Sequence, residues 1–191
     1  MEQWRSNVFK ANWNLPEDFK HELSVKLTPE YVIGYRSKDS RNNLKYLDDN
    51  TIIYPAGSII IVSDIKKNTQ RHLIKNKEEI QAFSIHAEKK LIAVGDILKN
   101  KSSNTTYLTI WNYESFEEVL CIEKVSIKGL VSVSFNITGD YLVCIGNDDE
   151  HTISIVDVLI EKKIISSSNG SKNKILDCCY RTENVIMICK E

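Results

Sequence analysis

The sequence predicts an all-β protein, and three features of it favour that fold class. From about residue 51, short runs of β-branched and apolar residues follow one another closely. Turn-forming residues separate these runs, as in the hairpin sequence TIIYPAGSIIIVSDI at 51–65. Only residues 16–27 approach the apolar spacing of a helix.

The remaining strands are predicted in chain order from alternating or continuous apolar runs bounded by polar turns. The runs are IQAFSIH (80–86), LIAVGD (91–96), YLTIWNY (107–113), EEVLCIE (117–123), VSVSFN (131–136), YLVCIGND (141–148), TISIVDV (152–158), KKIISSS (162–168), ILDCCYR (175–181) and VIMICKE (185–191). The polar stretch LKNKSSNTT at 98–106 is expected to be a loop.

Two markers repeat along this part of the chain with a period near 45 residues. The first is a strand residue just before a short polar turn, at Ile85, Phe135 and Tyr180. The second is a strand that ends in Asp or Asn, at Asp64, Asn112 and Asp157. A period of this length with about four strands in each unit is typical of WD-repeat β-propeller blades. The alternative is a plain β-sandwich in which the spacing is a coincidence.

The predicted architecture is about three blades, of which the last is incomplete. Because propellers close with four to eight blades, we expect the chain to be part of a larger tandem propeller or to be completed by another chain. The predicted organisation is an N-terminal extension (1–26), a motif segment with the first blade (27–76) and further blades (77–191).

Composition narrows the classes of function. The chain has 191 residues and a net charge of −1, so bulk basic character does not favour nucleic-acid binding. It contains no apolar run long enough for a membrane span and does not begin like a secretory signal. A cytoplasmic protein is therefore expected. The five cysteines are expected to be buried, reduced thiols in strands: Cys121, Cys144, Cys178, Cys179 and Cys189.

Charge is distributed unevenly along the chain. Between residues 34 and 76, eight basic residues oppose four acidic ones, which gives a net charge of +4. Between residues 101 and 160, three lysines oppose nine acids, which gives −6. The first third is therefore expected to face an acidic partner.

Residues 27–44, LTPEYVIGYRSKDSRNNL, resemble the HELP motif (hydrophobic EMAP-like protein motif) of the echinoderm microtubule-associated protein-like family, L-x-x-x-W-V-Y-G-Y-R-G-x-D-C-R-x-N-L. The matching residues are Leu27, Val32, Gly34, Tyr35, Arg36, Asp39, Arg41, Asn43 and Leu44. The departures are Tyr31 for Trp, Ile33 for Tyr, Ser37 for Gly and Ser40 for Cys. The similarity extends to residue 97 through Gln70, Arg71 and His72, which match a Q-R-H element, and through His86.

The resemblance implies a tandem propeller protein that binds microtubules, with the HELP segment built into the propeller. The predicted partners are tubulin or microtubules and other axonemal or scaffold proteins, with no nucleic acid and no membrane. The implied location is the cytoskeleton, in particular the axoneme of a cilium or flagellum. Residues 1–26 show no heptad repeat for a coiled coil. The alternative is a generic WD-repeat scaffold within a ciliary or other multi-subunit complex.

Two groups of candidate residues follow from the motif and its charge. A motif group with a structural role comprises Tyr31, Gly34, Tyr35, Asp39 and Asn43. Gly34 is expected to allow a tight turn, the tyrosines to wedge between blades, and Arg36, Asp39 and Arg41 to form an ion cluster. Candidates for direct contact with an acidic partner are Arg36, Lys38, Arg41, Lys45, Lys66 and Lys67.

Catalysis is not expected. The four histidines do not stand at metal-ligand spacing from a cysteine or from one another. Motifs for nucleotide or acyl chemistry are not found, so the sequence predicts no enzyme and no cofactor. His86 is expected to form a hydrogen bond within a blade, and Asp140 and Asp157 to serve as turn acids. The acidic run NDDE at 147–150 is expected to be a solvated loop rather than a calcium site.

Overall fold

The computed structural model describes residues 29–36, 40–74, 78–99 and 104–191. Four predictions fall outside these residues: the N-terminal extension (1–26), the helical stripe (16–27), and the roles of Lys38 and Asp39. No helix within the described ranges has the length and apolar character needed to cross a membrane.

The described residues form three four-stranded antiparallel sheets and one strand pair. The first sheet contains β1 (Lys45–Tyr46), β2 (Thr51–Ala56), β3 (Ile59–Asp64) and β4 (Thr69–Leu73). The second contains β5 (Ile80–His86), β6 (Leu91–Lys99), β7 (Asn104–Asn112) and β8 (Glu118–Glu123). The third contains β9 (Leu130–Phe135), β10 (Tyr141–Gly146), β11 (Ile153–Asp157) and β12 (Lys163–Ser168). The pair consists of β13 (Ile175–Thr182) and β14 (Val185–Lys190).

The predicted strands are confirmed, and two strands were missed. β1 has only two residues, too few to show an alternating pattern. β4 reads TQRHL and buries only Leu73, so its polar composition concealed it. The predicted loop at 98–106 was wrong in extent, because β6 runs to Lys99 and β7 begins at Asn104. Threonines in the supposed loop are good strand formers, since a β-branched side chain fits an extended backbone.

Both repeat markers correspond to equivalent positions in successive sheets. Ile85, Phe135 and Tyr180 lie in β5, β9 and β13, the first strands of their sheets. Asp64, Asn112 and Asp157 end the third strands β3, β7 and β11. Each of these last side chains accepts a backbone N–H from the following turn, at 2.9 Å from Lys67, 2.8 Å from Glu114 and 2.8 Å from Ile160. The repeat is therefore confirmed, and the turn role predicted for Asp157 is confirmed with it.

Hydrophobic cores lie between neighbouring sheets. Ile53 and Ile60 of the first sheet pack with Phe83 and Trp111 of the second. The second and third sheets meet through Leu108, Ile110, Phe135, Leu142 and Val156. The third sheet meets the strand pair through Val143, Ile145, Ile175 and Cys178. Each sheet thus buries apolar side chains against its neighbours, as stacked propeller blades do.

The cysteines differ from the prediction in their exposure. All five are free thiols in strands, but only Cys144 and Cys178 are buried. Cys121, Cys179 and Cys189 are exposed. Successive residues of a strand face opposite sides, so Cys178 and its neighbour Cys179 point to opposite faces. The expectation that all five thiols are buried was wrong for three of them.

His86 bonds both within its own sheet and to the next one, and its Nδ1 accepts the backbone N–H of Lys89 at 3.2 Å in the β5–β6 turn. Its Nε2 donates to the backbone oxygen of Ile137 at 2.8 Å, in the turn between β9 and β10. Its ring meets Phe135 edge-on, with 6.0 Å between ring centroids. The adjacent Lys89 forms an ion pair with Asp140 of the same turn, and this contact lowers the pKa of Asp140. The predicted bond within one blade is therefore confirmed by the contact with the Lys89 backbone N–H. The bond to Ile137 in the next sheet is a further contact that the sequence did not indicate.

Candidate functional site

The motif segment, defined here as residues 29–36 and 40–46, begins against the first sheet. The backbone N–H of Val32 donates to Gln70 Oε1 at 2.9 Å. The hydroxyl of Tyr31 donates to Asn68 Oδ1 at 3.2 Å. Tyr35 meets Tyr54 edge-on, with 6.3 Å between centroids. Both motif tyrosines remain about half exposed, at 49% and 52%, and both contact the first sheet.

Arg36 links the segment to the start of the second sheet. Its Nη1 donates to the backbone oxygen of Ile80 at 2.9 Å and lies 3.2 Å from the Glu79 carboxylate. The Arg36 side chain is only 17% exposed, whereas that of Glu79 is 62% exposed. A charged donor to a backbone carbonyl is among the stronger hydrogen bonds in proteins. Arg36 is therefore a structural anchor of the segment as well as a source of positive charge.

A buried asparagine holds the second half of the segment. Asn43 is 1% exposed, and its Nδ2 donates to the backbone oxygen of Arg36 at 2.7 Å. The Ser40 hydroxyl lies 2.7 Å from Asn43 Oδ1 and 3.0 Å from the Gln81 backbone oxygen. Ser40 stands where the HELP motif has cysteine, and its hydroxyl supplies a polar link to β5.

The tight turn expected at Gly34 is not found there. Gly34 does not adopt a positive φ, and a Cβ added to it meets Ala56 Cβ at an ordinary 3.8 Å. The left-handed residue of the segment is Asn42, with a φ of 59°. Asparagine tolerates this conformation because its short polar side chain bonds locally. The prediction that Gly34 allows a tight turn was therefore wrong, because the backbone at this position does not require glycine.

The end of the segment reaches the strand pair. Asn42 Nδ2 donates to Asp177 Oδ2 of β13 at 3.4 Å, and Lys45 Nζ donates to Asn42 Oδ1. Burial lowers the pKa of Lys45, and the neighbouring Asp177 carboxylate partly opposes that effect. The segment therefore contacts the first sheet, the start of the second sheet and the strand pair.

The candidate basic residues divide between the two ends of the sheets. At one end, Ile80 N donates to the backbone oxygen of Gly57, and Arg36 and Arg41 lie near this Gly57 end. At the other, Ile65 N donates to the backbone oxygen of Asn50. Two of the candidate lysines, Lys66 and Lys67, lie in the β3–β4 turn at this Asn50 end. A six-residue strand spans about 17–20 Å, so the two groups cannot contact one ligand side chain together.

Two basic residues that the sequence reasoning missed join Arg36 and Arg41 at the Gly57 end. His151 lies in the β10–β11 turn, and Lys174 directly precedes β13. Both line the same cavity as the two arginines. No local signal marks them, since more than one hundred residues of chain separate them from the motif.

The predicted ion cluster of Arg36, Asp39 and Arg41 stays a prediction, because Asp39 lies outside the described residues. Among the described residues, the Glu79 carboxylate also pairs with Arg36. Within the described ranges, no group of three or more His, Cys, Asp or Glu side chains is placed to hold a metal ion.

Comparison with solved structures agrees with this architecture. The fold is similar to the structure of U3-55K, with a TM-score of 0.60 and 12% identity over 80% of this chain and 50% of that one. It is also similar to the RRP9 WD40 repeats, with a TM-score of 0.59 and 12% identity over 80% and 49% of the two chains. The described strands therefore form WD-repeat β-propeller blades.

Sequence comparison shows which proteins the chain resembles. The HELP motif family matches residues 23–61. The 77 kDa echinoderm microtubule-associated protein of Strongylocentrotus purpuratus is 26% identical over 163 residues, 83% of this chain and 24% of that protein. Echinoderm microtubule-associated protein-like 2 of Homo sapiens is 24% identical over 178 residues, 90% of this chain and 27% of that protein. The resemblance to the echinoderm microtubule-associated protein-like family is confirmed, and the chain spans about a quarter of the length of these relatives.

Proposed function

We propose that this protein is a non-catalytic, microtubule-associated WD-repeat protein that binds tubulin directly. The observation that carries the proposal is the HELP motif at 23–61, together with relatives that are named microtubule-associated proteins and align with most of the chain. The finer proposal is that the protein works in the axoneme of a cilium or flagellum, beside other axonemal or scaffold proteins. The proposed organisation is an extension (1–26), the HELP segment with the first blade (27–76) and further blades (77–191).

Electrostatics supplies the physical basis for binding. Tubulin presents an acidic surface, and three of the candidate contacts are cationic and exposed. Arg41, Lys66 and Lys67 are exposed, and Lys67 makes only a surface ion pair with Asp64 at 3.3 Å. Exposed ion pairs contribute roughly 0.2–1 kcal/mol each. Two lost pairs therefore weaken binding by about 2-fold to 30-fold.

Co-sedimentation with stabilised microtubules tests the proposal. The full protein is expected to pellet at low salt and to be released as salt rises, because the Debye length falls to about 8 Å at 0.15 M. Arg41→Glu changes the Gly57 end, and the double variant Lys66→Glu with Lys67→Glu changes the Asn50 end. Each variant is the matched control for the other, and both leave the structural anchor Arg36 intact.

The expected result is salt-sensitive pelleting that at least one of these charge reversals weakens, with the circular dichroism spectrum unchanged. An absence of pelleting at low salt contradicts direct binding and favours the scaffold alternative. Pelleting that neither variant changes contradicts the assignment to these basic residues. Imaging the tagged protein in ciliated cells tests the axonemal location, which uniform labelling of cytoplasmic microtubules would contradict.

A further inference from the structure

A cavity of about 250 Å³ opens where the first strands of successive sheets begin, at the Gly57 end. Four of its lining residues carry basic side chains: Arg36, Arg41, His151 and Lys174. These come from the motif segment, from the β10–β11 turn and from the residue before β13. We call this cavity the basic pocket.

The lining of the basic pocket is one-sided in charge. Among the described residues, no Asp or Glu side chain lines it. The nearby Asp177 carboxylate accepts from the Ser132 hydroxyl at 2.6 Å and from the Cys178 backbone N–H at 2.9 Å. Glu79 pairs with Arg36 outside the lining. An anionic group that enters therefore meets cations and, from the part of the chain that the structure describes, no facing carboxylate.

Arg41 is the side chain best placed to contact such a group. It makes no hydrogen bond or ion pair with another residue of the described ranges, and it is exposed. Lys174 is also available, because its pair with Glu191 is long, at 3.6 Å, and both side chains are mostly exposed. A guanidinium offers a planar pair of donors that matches a carboxylate. Arg36 is held by the Ile80 carbonyl and adds positive potential from a fixed position.

Size and apolar lining indicate what kind of anion fits. Pockets for cofactors and drug-sized ligands have volumes of about 300–1,000 Å³. The basic pocket is smaller, so it is suited to a side chain or a short peptide segment. Leu130, Val131, Ile175 and Leu176 also line it. Leu130 and Ile175 are buried, whereas Val131 and Leu176 are partly exposed and can contact the aliphatic part of an acidic side chain and its neighbours along a peptide.

We propose that the basic pocket binds a glutamate or aspartate side chain of an acidic peptide segment in a partner protein, with Arg41 as the direct contact. The lining of the basic pocket alone carries this site and its ligand class, which go beyond microtubule association and do not rest on it. The binding is accordingly measured without microtubules. A phosphopeptide is the competing ligand class. We favour the carboxylate because Val131 and Leu176 place aliphatic surface beside the cations.

The test is a titration of the full protein with fluorescein-labelled hexaglutamate, followed by anisotropy at constant ionic strength. A hexaglutamine peptide controls for non-ionic binding. Arg41→Ala is expected to raise the dissociation constant about tenfold or more, because a hydrogen bond to a charged group is lost. Lys66→Ala, at the opposite end of the sheets, removes the same charge and is expected to change it less than about twofold.

Three results would overturn the proposal. The first is no hexaglutamate binding at low salt, and the second is equal weakening by Arg41→Ala and Lys66→Ala, which indicates a nonspecific charge effect. The third is a clear preference for a phosphoserine peptide of equal charge, which assigns the pocket to phosphate. Arg41 has no partner in the described ranges, so Arg41→Ala is expected to leave the thermal unfolding midpoint unchanged. Measuring this midpoint controls for a loss of folding in the variant.

Discussion

Replacing Gly139 by alanine tests the contact between the second and third sheets most directly. Gly139 lies in the turn that follows β9 and has a φ of +72°. An added Cβ would stand 2.8 Å from His86 Cδ2 and 2.9 Å from His86 Nε2. These distances are shorter than any stable contact of a methyl carbon. The buried His86 ring must therefore move, although its Nε2 donates to Ile137 at 2.8 Å.

Two costs set the size of the effect. A left-handed backbone costs a residue with a Cβ about 1–2 kcal/mol relative to glycine. Losing the His86 hydrogen bond costs about 0.5–1.5 kcal/mol. Together, Gly139→Ala is expected to lower the free energy of unfolding by about 1.5–3.5 kcal/mol.

Urea unfolding followed by tryptophan fluorescence measures this change. With a denaturant slope of about 1–3 kcal/mol/M, the midpoint is expected to fall by about 1 M. Gly34→Ala is the matched control, because its added Cβ meets Ala56 at 3.8 Å and its φ is not positive. Glycine to alanine at such a compatible site is neutral or stabilises by about 0.4–1 kcal/mol.

A double variant separates the two costs. In a His86→Ala background the ring is absent, so Gly139→Ala is expected to cost only the backbone term of about 1–2 kcal/mol. An unchanged midpoint for Gly139→Ala alone would refute the geometry of this turn. An equal cost with and without the His86 ring would refute the steric part of the reasoning.

Two further predictions concern the motif segment and the thiols. Asn43→Ala leaves the Arg36 carbonyl without its 2.7 Å donor, at a cost of about 1–3 kcal/mol; tryptic cleavage within the segment is expected to be about fivefold faster, and an unchanged rate would show that Asn43 does not hold it. Thiol labelling of the native protein at pH 8 is expected to modify three cysteines quickly, Cys121, Cys179 and Cys189. Cys144 and Cys178 are expected to react only on unfolding, because burial raises the pKa of both thiols, that of Cys178 to about 12. Rapid labelling of all five cysteines would contradict the buried positions of these two.

The sequence by itself determined most of the strands, their repeat and the resemblance to a known family. Alternating apolar residues and turn acids are local signals, so Asp64, Asn112 and Asp157 could be assigned equivalent positions before any coordinates were known. The HELP motif is likewise contiguous, and its residues indicated the resemblance directly. Short or polar strands such as β1 and β4 carried too little of this local signal.

Only the tertiary structure decided how the functional side chains are grouped. Antiparallel strands carry the Lys66–Lys67 turn to the end opposite Arg41, although all three residues belong to the same basic stretch of sequence. Packing of successive sheets brings His151 and Lys174 beside Arg41 from more than one hundred residues away. Side-chain exposure and inter-sheet contacts such as that of His86 depend on which face the neighbouring sheet covers. The physical reason is that backbone pattern is encoded locally, whereas a shared pocket depends on strand direction and on contacts between sheets.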